Sequence, residues 1–130
     1  ESRLYPDTIY ALELLRDRGC VMALVTNTSS LAASHVMGRL GLEGFFDAVV
    51  TRSDVPRLKP DPAMVRLAEE KLGMEAGWLV GDSSFDAGAA EGAGLSSIII
   101  RRDGVRPGFA HDYFIKSLLD VPPVLGLNLE

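Results

Sequence analysis

Short apolar runs that do not alternate with polar residues are the feature that most constrains the fold of this chain. The longest is Val21–Val25, and shorter ones lie at Trp78–Val80 and Ile98–Ile100. An unbroken apolar run is typical of a strand buried on both faces, so Trp78 is expected in the core. Segments with helical spacing separate these runs and indicate βαβ units with right-handed crossovers. We therefore predict an α/β fold built on a doubly wound parallel sheet.

Capping signals delimit the predicted helices. Ser29 or Ser30 can cap one helix, and Gly41 follows its end. Asp61 and Pro62 suit the N-cap and the first helical position of another. The predicted helices are 6–18, 30–40, 62–72, 85–93 and 113–119, and the predicted strands are 21–25, 47–51, 78–80 and 97–101.

Composition restricts the partners and the compartment. The chain has 130 residues and a formal net charge of −5. Its densest basic cluster is only Arg101, Arg102 and Arg106, so neither nucleic acid nor an anionic membrane surface is expected as a partner. No apolar stretch approaches the ~20 residues that a membrane-spanning helix needs. The single cysteine, Cys20, permits no internal disulfide, which favours a cytoplasmic location.

The length predicts one domain over residues 1–130. From about residue 104 an irregular tail is expected, because Pro107, Pro122 and Pro123 interrupt the periodic pattern. The first residues are Glu1-Ser2-Arg3, without an initiator Met or the basic-then-apolar order of a signal peptide. This start suggests that an amino-terminal part has been removed.

The segment Gly81–Asp86 carries the clearest chemical signal. It follows an apolar run, and its two carboxylates, Asp82 and Asp86, are four residues apart. Oxygen ligands at the carboxyl end of a parallel strand suit Mg²⁺, which commonly uses one or two carboxylates and a substrate phosphate. The alternative is structural, because Asp82 or Ser84 could simply cap the following helix.

Two other predicted strands also lead into polar chemistry. Thr26 and Asn27 follow the first strand, and their hydroxyl and backbone N–H groups could hold a phosphoryl oxygen. The second strand leads to Lys59-Pro60, which adds a cation. Singly, Thr26 could be a plain strand-end hydroxyl and Lys59 a solvated surface lysine. Together the three strand ends favour an anion-plus-metal site of the kind that phosphoryl transfer requires.

This ordered set of motifs resembles the haloacid dehalogenase (HAD) superfamily, in particular its branch of phosphatases similar to phosphoglycolate phosphatase and β-phosphoglucomutase. The resemblance extends over roughly residues 4–101. The motifs that carry it are Ala23–Asn27, Lys59–Pro62 and Gly81–Asp86, with further matches at 4–6, 45–47 and 90–94.

The resemblance implies a Rossmannoid core and a role for each candidate residue. Thr26 would hydrogen-bond the phosphoryl group, with Asn27 beside it, and Lys59 would neutralise the nucleophile and the phosphate. Asp82 would ligate Mg²⁺, and Asp86 would support the ion or its waters. The implied catalytic residues are thus Thr26 and Lys59, and the implied cofactor is magnesium.

The same resemblance exposes an absence. The family's Asp-x-Asp-x-Thr/Val motif, whose first aspartate is the nucleophile, does not occur in this sequence. In the family this motif ends a central strand and is followed by a cap domain, so the chain resembles the part that follows the cap. Without a nucleophile, covalent transfer has no first step, and the isolated chain is expected to be inactive.

The missing strand would normally lie between the strand that ends at Thr26 and the strand that ends at Asp82. Its loss would leave two unpaired strand edges. We expect an amino-terminal segment or a second protomer to fill this gap. Direct pairing of the two strands and insertion of the tail Val124–Leu129 are the other possibilities.

Two functional interpretations follow. The first is a Mg²⁺-dependent HAD-like phosphatase acting on a small phosphorylated metabolite, with this chain as its carboxy-terminal portion. The second is a non-catalytic HAD-like module that binds a partner or a phosphate. A C–halogen hydrolase of the same superfamily is less favoured, because that reaction does not need the metal motif. The substrate itself is not readable, because in this family the cap largely selects it.

Overall fold

A computed structural model of the chain describes residues 6–127, which form helices and strands that alternate up to residue 100. The helices are α1 (Pro6–Asp17), α2 (Ser30–Leu40), α3 (Ala63–Leu72), α4 (Ser84–Ala93) and α5 (Val121–Val124). The strands are β1 (Ala23–Val25), β2 (Ala48–Val50), β3 (Trp78–Gly81), β4 (Ser96–Ile100) and β5 (Tyr113–Ile115). Leu4 and Tyr5, which contribute to the family resemblance, lie outside the described residues.

The strands form two separate sheets, and every pair in them is parallel. β1 pairs with β2, and β3, β4 and β5 follow one another in the second sheet. The predicted parallel α/β architecture is therefore confirmed. Within residues 6–127, β1 and β3 do not pair with each other, so the alternative that these two strands join directly is wrong.

An apolar groove of about 590 Å³ lies between β1 and β3. Leu24 and Val25 line it on one side, and Leu79 and Val80 line it on the other. Val80 remains 40% exposed although it belongs to a strand of the sheet. The first strand is only half-buried along its length for the same reason. The expectation of strands buried on both faces fails at these two edges.

Backbone directions place the hydrogen-bonding groups of both strands along this groove. The Thr26 N–H donates to the Val50 carbonyl at 3.0 Å. Successive residues of a strand point their N–H and C=O groups to opposite sides, so those of Val25 point away from β2 and toward the groove. The Ser96 N–H donates to the Gly77 carbonyl at 2.9 Å, so the backbone groups of Gly77 face β4. By the same alternation, the N–H and C=O groups of Val80 point away from β4 and toward the groove. Neighbouring parallel strands need such facing donors and acceptors, so both edges of the groove could pair with an inserted strand.

Trp78 begins β3 but is not a core residue. Its side chain is 38% exposed and lines the groove. Its ring lies 5.5 Å from that of Tyr113, at an interplanar angle of 48°. The expectation of a buried Trp78 is therefore wrong, because β3 borders the groove and Trp78 lines it.

Three buried apolar clusters join the helices to the sheets. One lies between β2 and α3, one between α3 and α4, and one between β4, β5 and the carboxy-terminal helix. Their central residues are Val50 and Met64, Val65 and Ala90, and Ile98 and Val121. No helix among residues 6–127 is long and apolar enough to cross a membrane.

Helix boundaries follow the capping signals with two corrections. The side chain of Ser29 caps α2 by accepting the Ala32 N–H, as predicted. Helix α3 begins at Ala63, one residue later than predicted, and Asp61 accepts the Ala63 N–H at 2.9 Å. The cap of α4 is Ser83 rather than either of the two residues named in the structural alternative.

The predicted helix at 113–119 is wrong. Residues 113–115 form β5, parallel to β4, and a single 3-10 turn follows at Leu118–Asp120. Exposure falls along the strand, from Tyr113, which is exposed, to Ile115, which is buried against the core. The region after residue 104 is thus partly ordered into the sheet rather than an irregular tail.

The tail does not enter the gap as far as the structure describes it. Residues after Asp120 form α5 and a turn that ends at Leu127. Leu125 and Val121 contribute to one end of the groove, but neither belongs to a strand. The proposed insertion of 124–129 is therefore wrong over 124–127, and the rest of that segment lies outside the described residues.

Asp7 ties the first helix to this carboxy-terminal region. It accepts hydrogen bonds from the Arg102 guanidinium at 2.8 and 2.9 Å, from Ser117 Oγ at 2.6 Å and from Leu118 N–H at 3.1 Å. The Arg102 hydrogen bonds are the largest influence and lower the pKa of this carboxyl, and burial opposes them. These contacts fix the amino end of α1 against the edge of the second sheet.

Candidate phosphoryl-transfer site

Lys59 joins the two sides of the gap at the carboxyl ends of the strands. Its Nζ donates to Asp86 Oδ1 at 2.6 Å and to the Val25 carbonyl at 3.2 Å. Its backbone N–H donates to Asn27 Oδ1 at 3.3 Å. Only 12% of the side chain is exposed, so the alternative of a solvated surface lysine is wrong. The ammonium lies at the end of the gap, against one groove edge of β1.

Asp86 organises the loop that follows β3. Its Oδ1 accepts Lys59, and its Oδ2 accepts the N–H of Asp82 at 3.0 Å, the N–H of Ser83 at 3.2 Å and Ser83 Oγ at 3.0 Å. The side chain is 8% exposed. Both oxygens are therefore occupied by protein donors, and this arrangement favours a positioning role over direct metal ligation.

The pKa of Asp86 lies below its usual range. Burial is the largest influence and raises the pKa, because it disfavours the charged form. Hydrogen bonds and the charge of Lys59, together with donors from Asp82 and Ser83, outweigh burial and lower it. The group is therefore a carboxylate at neutral pH, and it holds Lys59 as an ion pair.

Steric contact explains why the first residue of the Gly81–Asp86 motif is glycine. A Cβ added at Gly81 would collide with the carboxylate of Asp86, which packs directly over the backbone there. Only glycine lets this side chain reach back across the end of β3. The spacing between Gly81 and Asp86 is therefore required by the conformation of the loop, independently of any ligand.

Helix α4 approaches the Lys59–Pro62 segment closely through two glycines that were not among the predicted site residues. A Cβ at Gly88 would lie 2.8 Å from Pro60 Cβ, and one at Gly92 would lie 3.2 Å from Pro62 Cδ. The four-residue spacing puts both glycines on one face of the helix. That spacing was visible in the sequence and could have predicted this packing.

Thr26 lies at the same strand end but outside the ion-pair network. Its Oγ1 is 3.1 Å from Thr28 Oγ1 and accepts the Thr28 N–H at 3.2 Å. Within residues 6–127 it makes no direct hydrogen bond to Lys59 or Asp86. The neighbouring Asn27 is connected to Lys59, so the structure brings Asn27, Lys59 and Asp86 together and leaves the Thr26 hydroxyl beside them.

Asp82 has the features expected of a metal ligand. Its side chain is exposed at the end of β3 and makes no hydrogen bond or ion pair with the described residues, while its N–H is held by Asp86. An exposed carboxylate with a fixed backbone suits Mg²⁺, which retains several waters. In the same part of the chain no group of three Asp, Glu, His or Cys residues could hold a metal alone. A metal ion at Asp82 would therefore need further oxygen ligands, such as water or a substrate phosphate.

Arg101 also touches this loop and was not predicted as a site residue. Its Nε donates to the Asp82 carbonyl at 3.1 Å, and its guanidinium lies 5.6 Å from the centre of the Phe109 ring. From the sequence it belonged only to the densest basic cluster, at the end of the predicted strand 97–101. No sequence signal shows that its side chain turns toward β3.

Comparison with known proteins decides the family. A family model described as haloacid dehalogenase-like hydrolase matches residues 1–94. The chain belongs to the haloacid dehalogenase-like hydrolases. Among curated relatives of this HAD-like hydrolase, phosphoglycolate phosphatase of Rhodobacter capsulatus is 38% identical over 98 residues, which are 75% of this chain and 45% of the relative.

Solved structures agree on the fold of this HAD-like hydrolase. A HAD phosphatase from Thermococcus onnurineus superimposes with a TM-score of 0.90 at 36% identity, covering 98% of this chain and 60% of that one. A 2-haloacid dehalogenase from Pseudomonas syringae pv. Tomato gives a TM-score of 0.83 at 27% identity, covering 95% and 54%. The HAD-like hydrolase described here spans about half the length of the curated relatives that it matches.

Proposed function

We propose that this chain forms the phosphate- and metal-binding half of a Mg²⁺-dependent phosphatase that acts on a small phosphorylated metabolite. The observation that carries the proposal is the buried Lys59–Asp86 ion pair at the carboxyl end of the β1–β3 gap, with Asp82 held beside it. Phosphoglycolate phosphatases among the relatives support the same reaction class.

The chain's own groups suit the handling of a phosphoryl anion. Lys59 supplies a fixed positive charge, and the Thr26 hydroxyl and neighbouring N–H groups supply donors. The Asp86 carboxylate and the Val25 carbonyl both accept hydrogen bonds from the Lys59 ammonium and together keep it in place. In this proposal Thr26, Asn27 and Lys59 hold the phosphoryl oxygens.

Asp82 would hold the metal through one carboxylate oxygen, and Asp86 would act on the ion indirectly by fixing the Asp82 backbone. A bound magnesium ion would neutralise phosphate charge and orient the group for in-line displacement. The described loop offers no second accessible carboxylate. In this proposal the carboxylate of a nucleophile supplied from outside this chain would complete the ligand set.

We further propose that an extended strand occupies the gap and brings that carboxylate. The groove has apolar walls, outward-facing peptide groups on both sides and Lys59 at one end. A strand parallel to β1 and β3 would end beside the ammonium. An amino-terminal segment of a longer protein is the favoured occupant, because the chain spans about half the length of its relatives.

Two other functions remain candidates on specific observations. Structural similarity to a 2-haloacid dehalogenase allows C–halogen hydrolysis, but the Asp82 loop favours a metal-dependent reaction. A non-catalytic module that binds phosphate without turnover is the other candidate, because these 130 residues contain no aspartate pair of the family's motif.

The decisive experiment compares this chain alone with the chain joined to the part of the Rhodobacter capsulatus relative that precedes its match to this chain. Phosphate release from phosphoglycolate and para-nitrophenyl phosphate is measured with Mg²⁺ and with EDTA. We expect no release from the chain alone and Mg²⁺-dependent release from the joined protein.

Substitutions assign the activity to this chain's residues. Asp82→Asn and Lys59→Met should abolish release from the joined protein, whereas Asp17→Asn, on the exposed end of α1, should leave it unchanged. Release by the isolated chain that is lost in Asp82→Asn would overturn the predicted inactivity. A folded joined protein that releases no phosphate would refute the phosphatase proposal and favour the binding module.

A further inference from the structure

The peptide groups on both sides of Asp82 are held by different elements. The N–H of Asp82 donates to Asp86 Oδ2 from the amino end of α4, and the Asp82 carbonyl accepts Arg101 Nε from the end of β4. The next N–H, that of Ser83, also donates to Asp86. The backbone is therefore fixed while the Asp82 carboxylate is left exposed.

Arg101 is itself held in place. Its backbone N–H donates to the Ile115 carbonyl at 3.0 Å, which continues the pairing between β4 and β5. Its guanidinium lies over Phe109, and the Phe109 carbonyl is 2.9 Å from His111 Nδ1. A planar guanidinium on an aromatic ring keeps its donors in one orientation.

We infer that Arg101 is a positioning residue that fixes the Asp82–Ser83 peptide and thereby aims the Asp82 carboxylate at a divalent cation. The inference rests on the proposed function in one respect, which is that a divalent cation binds at Asp82. The fixed peptide is a property of the chain alone. In this inference Arg101 acts through Asp82.

Charge and geometry predict opposite effects for the loss of Arg101, and this makes the inference testable. A guanidinium near a cation site repels the cation, so its removal on charge grounds alone should tighten metal binding. If Arg101 aims Asp82, its removal should weaken metal binding. Pre-organised ligands bind more tightly because the cost of ordering them is already met.

The test uses Arg101→Met and the matched control Arg106→Met in the 130-residue chain. Arg106 lies 5.1 Å over the Phe114 ring, so the control removes the same charge and an equivalent arginine–aromatic contact away from Asp82. Mn²⁺ is the probe, and its apparent Kd is measured from paramagnetic broadening of amide signals in residues 82–86. Amide hydrogen exchange of Ser83 is measured without metal.

We expect Arg101→Met to raise the Kd for Mn²⁺ and the exchange rate of the Ser83 amide about fivefold each, as for the loss of one net hydrogen bond. Arg106→Met should change neither. Unchanged Ser83 exchange, or Mn²⁺ binding that tightens in Arg101→Met, would overturn the inference. Faster Ser83 exchange in a chain that binds no Mn²⁺ would support the fixed peptide and count against the metal site of the proposed function.

Discussion

At the residue scale, Asp86 is the residue that connects the parts of the site to one another. One carboxylate pairs with Lys59, binds the loop after β3 and completes the capping box that Ser83 begins at α4. A buried ion pair is not a strong net source of stability, but removal of one partner leaves the other charge buried. The fold therefore depends on Asp86 even before any ligand is bound.

Asp86→Asn is expected to lower the free energy of unfolding by about 3 kcal/mol at pH 7, because Lys59 would keep its charge without a partner. Urea denaturation measures the difference. Asp17→Asn, at an exposed pair with Arg16, should change stability by less than about 0.5 kcal/mol. A loss of less than 1 kcal/mol in Asp86→Asn, about the value of an exposed pair, would contradict this expectation.

The same pair predicts a pH dependence. The pKa of Asp86 is lowered in the folded state, so its contribution to stability is fully present above its unfolded value of about 3.9 and is lost as pH falls through the folded value. The stability difference between the wild-type chain and Asp86→Asn should therefore shrink below about pH 4. A difference that stays constant between pH 7 and pH 3 would show that the carboxylate charge is not responsible.

Gly81→Ala tests the close approach of Asp86 to the backbone. The new Cβ would displace the carboxylate, and we expect a destabilisation of about 2 kcal/mol, measured by urea denaturation. Gly77→Ala is the control, since a Cβ there meets nothing within 4 Å. Equal stabilities of the two variants would mean that the loop relaxes without cost.

Residue types and spacing predicted that Lys59, Asp82 and Asp86 lie together, because strand-end polar residues in a parallel sheet converge on one edge, and the structure places them there. They could not show that Asp86 would be saturated by four donors. The contribution of Arg101 was equally hidden, since its side-chain direction depends on the Phe109 ring, eight residues further along the chain.

At the element scale, the contact between α4 and the Lys59–Pro62 segment fixes the site's two halves relative to each other. Gly88 has no room for a side chain against the rigid ring of Pro60, and Gly92 is close to Pro62. Alanine normally stabilises a helix interior by about 1 kcal/mol relative to glycine. In this helix that gain competes with a steric clash.

Gly88→Ala is expected to destabilise the chain by about 1 kcal/mol or more, since overpacking against a rigid ring outweighs the gain in helix propensity. In α2, Gly38→Ala should instead stabilise by about 0.5–1 kcal/mol, because the nearest atom to the new Cβ is 3.9 Å away at the end of Glu43. Thermal unfolding of both variants measures the two signs. Stabilisation in both would show that α4 moves away from Pro60 freely.

Elements with strong capping signals were predicted to within one or two residues, whereas β5 was missed. Its three residues are too few to show a period, and the aromatic pair Tyr113-Phe114 also suits a helix. Its strand conformation comes from pairing with β4, a contact distant in sequence. Local propensity does not encode such a contact.

At the scale of the whole molecule, the gap between the two sheets is the dominant feature. The sequence predicted it from a missing motif, and the separate β1–β2 and β3–β4–β5 sheets agree with that prediction. Apolar side chains and strand edges that face solvent promote association with other chains. The gap should therefore control how this chain behaves in solution.

Val80→Lys tests this control directly. Val80 lines the gap, so a lysine there should oppose entry of any apolar strand while leaving β3 paired with β4. We expect the unmodified chain to bind an apolar dye and to associate with rising concentration in sedimentation, and Val80→Lys to reduce both without loss of circular dichroism. Leu31→Lys is the matched control, because Leu31 is 81% exposed on α2 and does not line the gap. Equal reductions in the two variants would attribute the effect to net charge, whereas a chain that neither associates nor binds dye would show that the gap is closed in solution.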